Sequence, residues 1–457
     1  MLDILPLLQI KKREKMKQLV VIFTLWLVWM PVGAQKTLTL EECLKLGIEN
    51  NLSLEGSRNE MRKAKHLLSE NRAKLWPQIS AVAGFNDNFN PPVSVTDGSA
   101  YGNLYNVTKT LQYNASAGLQ LQMPLYNQTV YTAVDIARTL NELNRLSYEK
   151  AREDLMMQIS KMYYLGQNTM EQLTLIQENM VRLRELRDIT LAFFDNGMAM
   201  EVDVKRVNIN LENQQVQYDN AKSMLVQQLN LLKYVMDYPA EEEITLTPVD
   251  TERMQSASLT GLRSDLYELQ LLQSQEKLAG QQKDLIRQGY LPSLTLTGNW
   301  MYSAYTDKAY HWFHSGPSNH WYPSTGLGIT LRVPIFDGFD KRARIRKAQI
   351  DQENAKLNYE NTLKNMQTQY LNATNELMNN QRNFKKQKDN YLLAEDVYQV
   401  TTDRYREGIA SMTEVLQDEM RMSEAQNNYL SAHYNYQVAN LALLKLTGQM
   451  DRLLQGN

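Results

Sequence analysis

Residues 112–123 read QYNASAGLQLQM, and apolar and polar positions alternate through them without a break. Tyr113, Ala115, Ala117, Leu119, Leu121 and Met123 fall on one face, and Asn114, Ser116, Gly118, Gln120 and Gln122 on the other. GLGITLRV (326–333) and SLTLTGNWMYS (293–303) repeat the pattern, and ISAVAGFNDNF (79–89) carries it more weakly. Alternation over about ten residues predicts half-buried strands. Two architectures fit: a soluble sandwich or a membrane barrel. Strand length near that needed to cross hydrocarbon, and a second face that is small and polar throughout, favour the barrel. Four strands cannot close one, and lipid tolerates no open sheet edge. The chain is therefore expected to lend its strands to an oligomer, and three copies supply a twelve-stranded barrel.

Elsewhere the pattern changes period. Residues 128–194 and 338–405 contain no proline and only Gly166 as an interior glycine, with apolar residues recurring at threes and fours. Leu140, Leu143, Leu155, Ile159, Met162, Leu173, Ile176, Met180, Leu183 and Leu186 form the first seam. Leu357, Leu363, Met366, Tyr370, Leu377, Tyr391, Ala394 and Val397 form a lighter second one. At 1.5 Å per residue, each helix would be about 100 Å long. Seams this thin point to coiled-coil pairing with water on more than one side. The fold class expected is a mixed α+β membrane protein.

The two halves repeat each other. AKLWPQIS (73–80) aligns with QGYLPSLT (288–295), placing Pro77 over Pro292; QLQMPLYN (120–127) aligns with TLRVPIFD (330–337), placing Pro124 over Pro334. DNGMAMEVDV (195–204) and REGIASMTEV (406–415) share a glycine, five residues, then an acid and a valine. Duplication of a β-β-α-α unit follows. The first repeat is expected over 35–240, with strands near 77–90 and 112–125 and helices near 40–73, 128–194 and 201–236. A linker over 241–260, expected to form a small equatorial belt with the C-terminus, separates it from the second repeat at 261–450. That repeat has strands near 292–305 and 325–336 and helices near 262–288, 338–405 and 412–447, and a tail of 451–457 follows. The four prolines mark strand-to-helix junctions, where a fixed φ and a missing N–H suit a bend.

Composition narrows the compartment. Lys11, Lys12, Arg13, Lys15 and Lys17 precede the apolar run LVVIFTLWLVWM (19–30), followed by Val32 and Ala34 at small-residue positions. This predicts a signal peptide over 1–34, with a retained anchor as the alternative and Met16 as a second candidate start. The net charge of −2 is scattered, which does not suit a nucleic-acid partner. A lone cysteine, Cys43, allows no internal disulfide, and a buried apolar role suits it. The loops at 91–111 and 306–324 hold aromatics such as Tyr310, Trp312, Phe313, Trp321 and Tyr322, suited to an interfacial girdle or a loop cap. His311, His314 and His320 share the second loop, without a carboxylate at ligand spacing; that is weak support for a metal. No phosphate loop, zinc-protease motif or plausible Ser/His/Asp set occurs, so no enzyme and no cofactor is expected.

Strand pairs, proline junctions, long helical hairpins and duplication together resemble the TolC family of outer-membrane efflux and secretion channels, as does LTLEECLKLGIENNLSL near the start. The resemblance covers essentially all of 38–450. It implies a homotrimer with its barrel in outer-membrane lipid of a Gram-negative bacterium, extending into the periplasm. It also implies docking to a periplasmic adaptor (membrane fusion) protein that serves an inner-membrane pump. The tip turns Gly197, Met198, Ala199, Met200 and Gly408, Ile409, Ala410, Ser411 become candidate adaptor contacts. For the periplasmic gate the candidates are Glu414, Gln417, Asp418 and Asp203. The family often carries a second acid where Gln417 stands, so the expectation is one ring of three Glu414 side chains, with Gln417 adding hydrogen bonds. Asp203 is accounted for as a helix-start acid. A non-conducting periplasmic coiled-coil scaffold is the rival from another class.

Overall fold

A computed structural model describes residues 36–97, 104–249, 261–307 and 320–455. The leader, the linker from 250 to 260, and His311 and His314 with Tyr310, Trp312 and Phe313 lie outside the described residues. In chain order the elements are β1 (Lys36–Leu38), α1 (Leu40–Asn50), α2 (Leu52–Ala73), β2 (Gln78–Asp87), β3 (Val93–Asp97), β4 (Tyr105–Lys109) and β5 (Tyr113–Tyr126). Next come α3 (Gln128–Asp195), α4 (Glu201–Met236), β6 (Ile244–Leu246), α5 (Tyr267–Gln288), β7 (Ser293–Thr306), β8 (Trp321–Arg332), α6 (Asp340–Arg406) and α7 (Met412–Leu446). A 3-10 turn over Met450–Leu454 ends the described chain. The chain divides into two units, one of residues 53–152 and 262–369, the other of 1–52, 153–261 and 370–457.

The first unit holds an antiparallel sheet in the order β2-β5-β7-β8. Pro77 and Pro292 immediately precede β2 and β7, and Pro334 follows β8. Pro124 lies inside β5 rather than at its end, and the β5–β7 register shifts between Pro124 and Tyr126. A proline there donates no ladder bond, and the shift accommodates it. The expected loop at 91–111 contains the hairpin β3–β4, with Val93 opposite Lys109 and Val95 opposite Val107. β8 begins at Trp321 and stops at Arg332, not at 325 and 336. α5 begins only at Tyr267 rather than 262.

The second unit is a helical assembly with a small strand pair. The single helix expected over 40–73 is broken at Asn51, whose ψ of 118° leaves the helical region. The break is satisfied locally: Asn51 N–H donates to Gly47 O, and its Nδ2 donates to Val235 O at 2.7 Å. Thr39 opens α1 with a reciprocal capping box to Glu42, which satisfies two orphan donors at once. β1 and β6 pair in parallel, Leu38 opposite Leu246, and both leucines are buried. Part of the expected linker is thus tied to β1, while the 3-10 turn packs on α1. Gly166 permits this closure, because a Cβ there would meet Leu246 Cδ1 at 2.8 Å. Cys43 is buried, and burial pushes its thiol up to about 12.

Candidate functional site

Two features of the structure bear on function, one in each unit. The sheet has a segregated pair of faces. Ile79, Leu121 and Gly298 align across three strands, as do Ala81, Leu119 and Trp300; Leu296 faces Ile329 and Leu294 faces Leu331. The opposite face aligns Ser80 with Gln120 and Asn299, and Gln122 with Thr297 and Gly328. Both faces are open, and the apolar one carries large exposed side chains at its edge: Leu327 is 79% exposed, Ile329 65% and Leu331 63%. Apolar side chains in such a continuous exposed array mark contact with a membrane or a partner. Gly118 fixes the spacing of the central strands, since a Cβ there would fall 2.2 Å from Trp300 O.

The second feature is the pair of turns joining α3 to α4 and α6 to α7. Gly197 and Gly408 both have φ of 75°, the left-handed region that glycine enters without a Cβ penalty. Gly197 N–H donates to Phe194 O and Met198 N–H to Phe193 O; Gly408 N–H donates to Tyr405 O and Ile409 N–H to Arg404 O. Each turn is therefore a Schellman cap. The outgoing helices start differently. Ser411 and Glu414 form a full capping box, with Ser411 N–H to Glu414 Oε2 at 2.8 Å and Glu414 N–H to Ser411 Oγ at 3.3 Å. Met200 has no side-chain acceptor, so Asp203 supplies only the return half, accepting from Met200 N–H at 3.4 Å.

Both tips close over one core. Leu183 and Leu186 of α3, Val207 of α4, Tyr398 and Tyr405 of α6, and Val415 and Leu416 of α7 pack together. Ala410 belongs to that core and is buried, so it does not sit on the contact surface expected of it. Met198, Met200 and Ile409 are exposed. Of the acids expected at a gate, Asp203 is engaged by Arg206 at 3.1 Å. Asp418 accepts from Thr401 Oγ1 at 2.8 Å and pairs with Arg421 at 3.0 Å. Glu414 and Gln417, one turn apart on α7, are both exposed.

Sequence reasoning missed a set of buried polar side chains in the same unit. Asn179 and Gln426 exchange hydrogen bonds between α3 and α7 at 2.6 and 3.4 Å. Gln214 Nε2 donates to Glu419 Oε1 at 3.2 Å, joining α4 to α7. Burial raises the Glu419 carboxyl, and the Gln214 hydrogen bond opposes it. Arg182 bridges α3 to Glu395 of α6 at 3.0 Å. The available signal was Asn179 lying between the seam residues Ile176 and Leu183, a polar residue at a core position of the kind that fixes helix register.

A duplicated unit whose strands carry one exposed apolar face and whose long helices end in matched capped turns defines a class: subunits that combine barrel-type strands with long coiled-coil helices. Residues 44–236 and 263–449 match the family described as outer membrane efflux protein, and the chain belongs to that family. It is an outer-membrane protein of the Gram-negative type that extends into the periplasm. Outer membrane protein TolC of Vibrio cholerae is 23% identical over 325 residues, 68% of this chain and 68% of that protein. The probable efflux pump outer membrane protein TtgC of Pseudomonas putida is 21% identical over 324 residues, which is 69% of this chain but only 63% of TtgC. Among solved structures, the outer membrane protein VceC of Vibrio cholerae superposes with a TM-score of 0.73 at 15% identity, covering 90% of this chain and 96% of that one. The CmeC outer membrane channel of Campylobacter jejuni gives 0.73 at 18% identity, covering 90% and 85%. The mixed α+β fold expected from the pattern is thereby borne out.

Proposed function

We propose that the chain forms, as a homotrimer, the outer-membrane conduit of a tripartite efflux or secretion system, docking through its helix tips to a periplasmic adaptor and an inner-membrane pump. The uncovered apolar face of the four-stranded sheet carries this reading. In water such a face would be a liability, and in lipid it is a solvent match. Both outer edges of the sheet, on β2 and β8, lack a strand partner among the described residues, and lipid requires that those edges be closed by further copies. Transport through a water-filled lumen needs no catalytic group, so partners supply the energy. Met198, Met200 and Ile409 are the adaptable apolar contacts at the tips, since thioethers fill irregular surfaces well. Gly197, Ala199, Gly408 and Ser411 shape the turns that present them.

At the periplasmic entrance, three Glu414 carboxylates with neighbouring Gln417 form the constriction. Asp418 ties α7 to α6 beside it through Thr401 and pairs with Arg421 on its own helix, while Asp203 pairs with Arg206 within α4. Opening is a shift in population between closed and open tips, biased by adaptor contacts. Reconstitution into a planar bilayer tests the whole proposal. Trimers that run heat-sensitively on gels and conduct ions are expected. A protein that leaves membranes with a salt wash and never conducts would instead be a coiled-coil scaffold. Glu414→Ala should lower cation selectivity, and unchanged selectivity removes Glu414 from the gate.

A further inference from the structure

The apolar alternation on β5 runs from Tyr113 to Met123. At about 3.4 Å per residue this is about 34 Å along the strand. A tilt near 40° turns it into a band about 25 Å tall, the height of the apolar belt on an outer-membrane barrel. The band ends at Met123. Gln78 pairs with Gln122, so Trp76 falls level with Pro124, one step past that end. Here hydrocarbon gives way to headgroups, the depth at which Trp and Tyr rings settle. Trp76 is 70% exposed.

At this level α2 ends and α3 begins, and a cavity of about 420 Å³ lies between them. Leu75 and Val134 give it an apolar lining, and the rings of Trp76 and Tyr131 flank it. Tyr131, Val134, Asp135 and Arg138 share one face of α3 through their spacing of three and four residues. Arg138 pairs with Asp135 at 2.6 Å. Arg72, which also lines the cavity, has no ion-pair partner among the described residues. The site therefore carries one uncompensated positive charge beside two aromatic rings.

The second repeat fills the equivalent place with its own side chains. Aligning Pro77 with Pro292 carries Leu75 onto Tyr290, and aligning Pro124 with Pro334 carries Tyr131 onto Lys341. Lys341 Nζ stands over the Tyr290 ring, 5.0 Å from its centroid, and pairs with Asp337 at 3.3 Å. The positions of Asp135 and Arg138 become Ile345 and Ala348. Only the first repeat combines an open cavity with the Arg138 guanidinium at this depth.

Resting on the reading that the apolar sheet face lies in lipid, we propose that this cavity binds the phosphodiester headgroup of a glycerophospholipid from the periplasmic leaflet. The acyl chains lie along the apolar face that begins at Ile79. Arg72 offers the phosphate a fork of parallel N–H bonds, and Arg138 adds charge on the α3 side. Trp76 and Tyr131 hold the glycerol region between an apolar ring face and a polar tip. The volume lies within the range of small-molecule sites. A water-soluble phosphate would gain nothing from Leu75, Val134 and an exposed indole, which is why the occupant is a lipid.

Native mass spectrometry of detergent-solubilised full-chain trimers titrated with phosphatidylglycerol tests the site. Wild type should retain one lipid per chain. Arg72→Gln should weaken retention about tenfold or more, the worth of one charge-assisted pair. Trp76→Ala keeps both arginines and should weaken it independently. Arg62→Gln with Lys63→Gln, on the exposed surface of α2, removes more charge and should leave retention unchanged. Inorganic phosphate and glycerol 3-phosphate should fail to displace the lipid; displacement by either would make this a site for soluble phosphoesters and overturn the lipid assignment. Equal retention by wild type, Arg72→Gln and Trp76→Ala, in trimers that still conduct, would overturn the site and leave the conduit reading intact. A chain that forms no trimers and leaves membranes with a salt wash would overturn both.

Discussion

His433 offers the sharpest quantitative test of the helical unit. It is 2% exposed, packed against Phe384 at 5.2 Å and Tyr429 at 6.3 Å between ring centroids, and its Nε2 has no hydrogen-bond partner. Burial, helped by the charge of Lys388 on α6, lowers its pKa from 6.5 to about 4. The native state thus binds fewer protons than the unfolded chain between those values. Stability must fall as pH drops through 6.5 and level off below about 4. At about 1.4 kcal/mol per pH unit, the full loss is roughly 3 kcal/mol per chain, and roughly 2 of it has occurred by pH 5. His433→Phe keeps an aromatic in the stack and removes the proton. Urea unfolding of detergent-solubilised protein, followed by far-ultraviolet circular dichroism at pH 7.5 and 5.0, should show the wild type losing about 2 kcal/mol more than the variant. Parallel losses would mean that the ring is hydrated or paired in the assembled protein, and the argument from burial would fail.

Glu419 should behave in the opposite sense. Its raised pKa means the native state holds a proton that the unfolded chain releases, so the penalty is absent below about 4.5 and complete above the native value; Glu419→Gln should gain stability over wild type at pH 8 and lose that gain at pH 4. Gly408→Ala and Gly197→Ala should each cost about 1–2 kcal/mol through positive φ alone, because nothing lies within 4 Å of a Cβ at either site; equal melting temperatures would refute this. Gly118→Ala should abolish heat-modifiable trimers on gels, as its Cβ would strike the Trp300 and Met301 backbone. Gly84→Ala, whose Cβ would meet only Ser116 Oγ at 3.5 Å, should assemble normally.

What the sequence disclosed follows from which interactions are local. A period of two along 112–123 reports a sheet face directly, because neighbouring residues alone decide it. The Schellman turns were legible for the same reason: a glycine and the helix it ends lie within one short segment. The break at Asn51 was not legible, since its Nδ2 bonds Val235, which is 184 positions away. Asn179 and Gln426 are 247 apart and Gln214 and Glu419 are 205 apart, so neither pair could be assembled from its surroundings in the chain. The β3–β4 hairpin differs, because VSVTD and YNVTK do alternate; the signal was local and was masked by the turn-rich loop around it. Glu414 shows where legibility divides. Its sequence position declares a helix-start acid, and the structure gives it that bond, to Ser411 N–H at 2.8 Å. A carboxylate held by its own helix end keeps a fixed position and still exposes its charge. Capping and lining an entrance are therefore compatible tasks for this residue, and selectivity measurements, not stability, separate them.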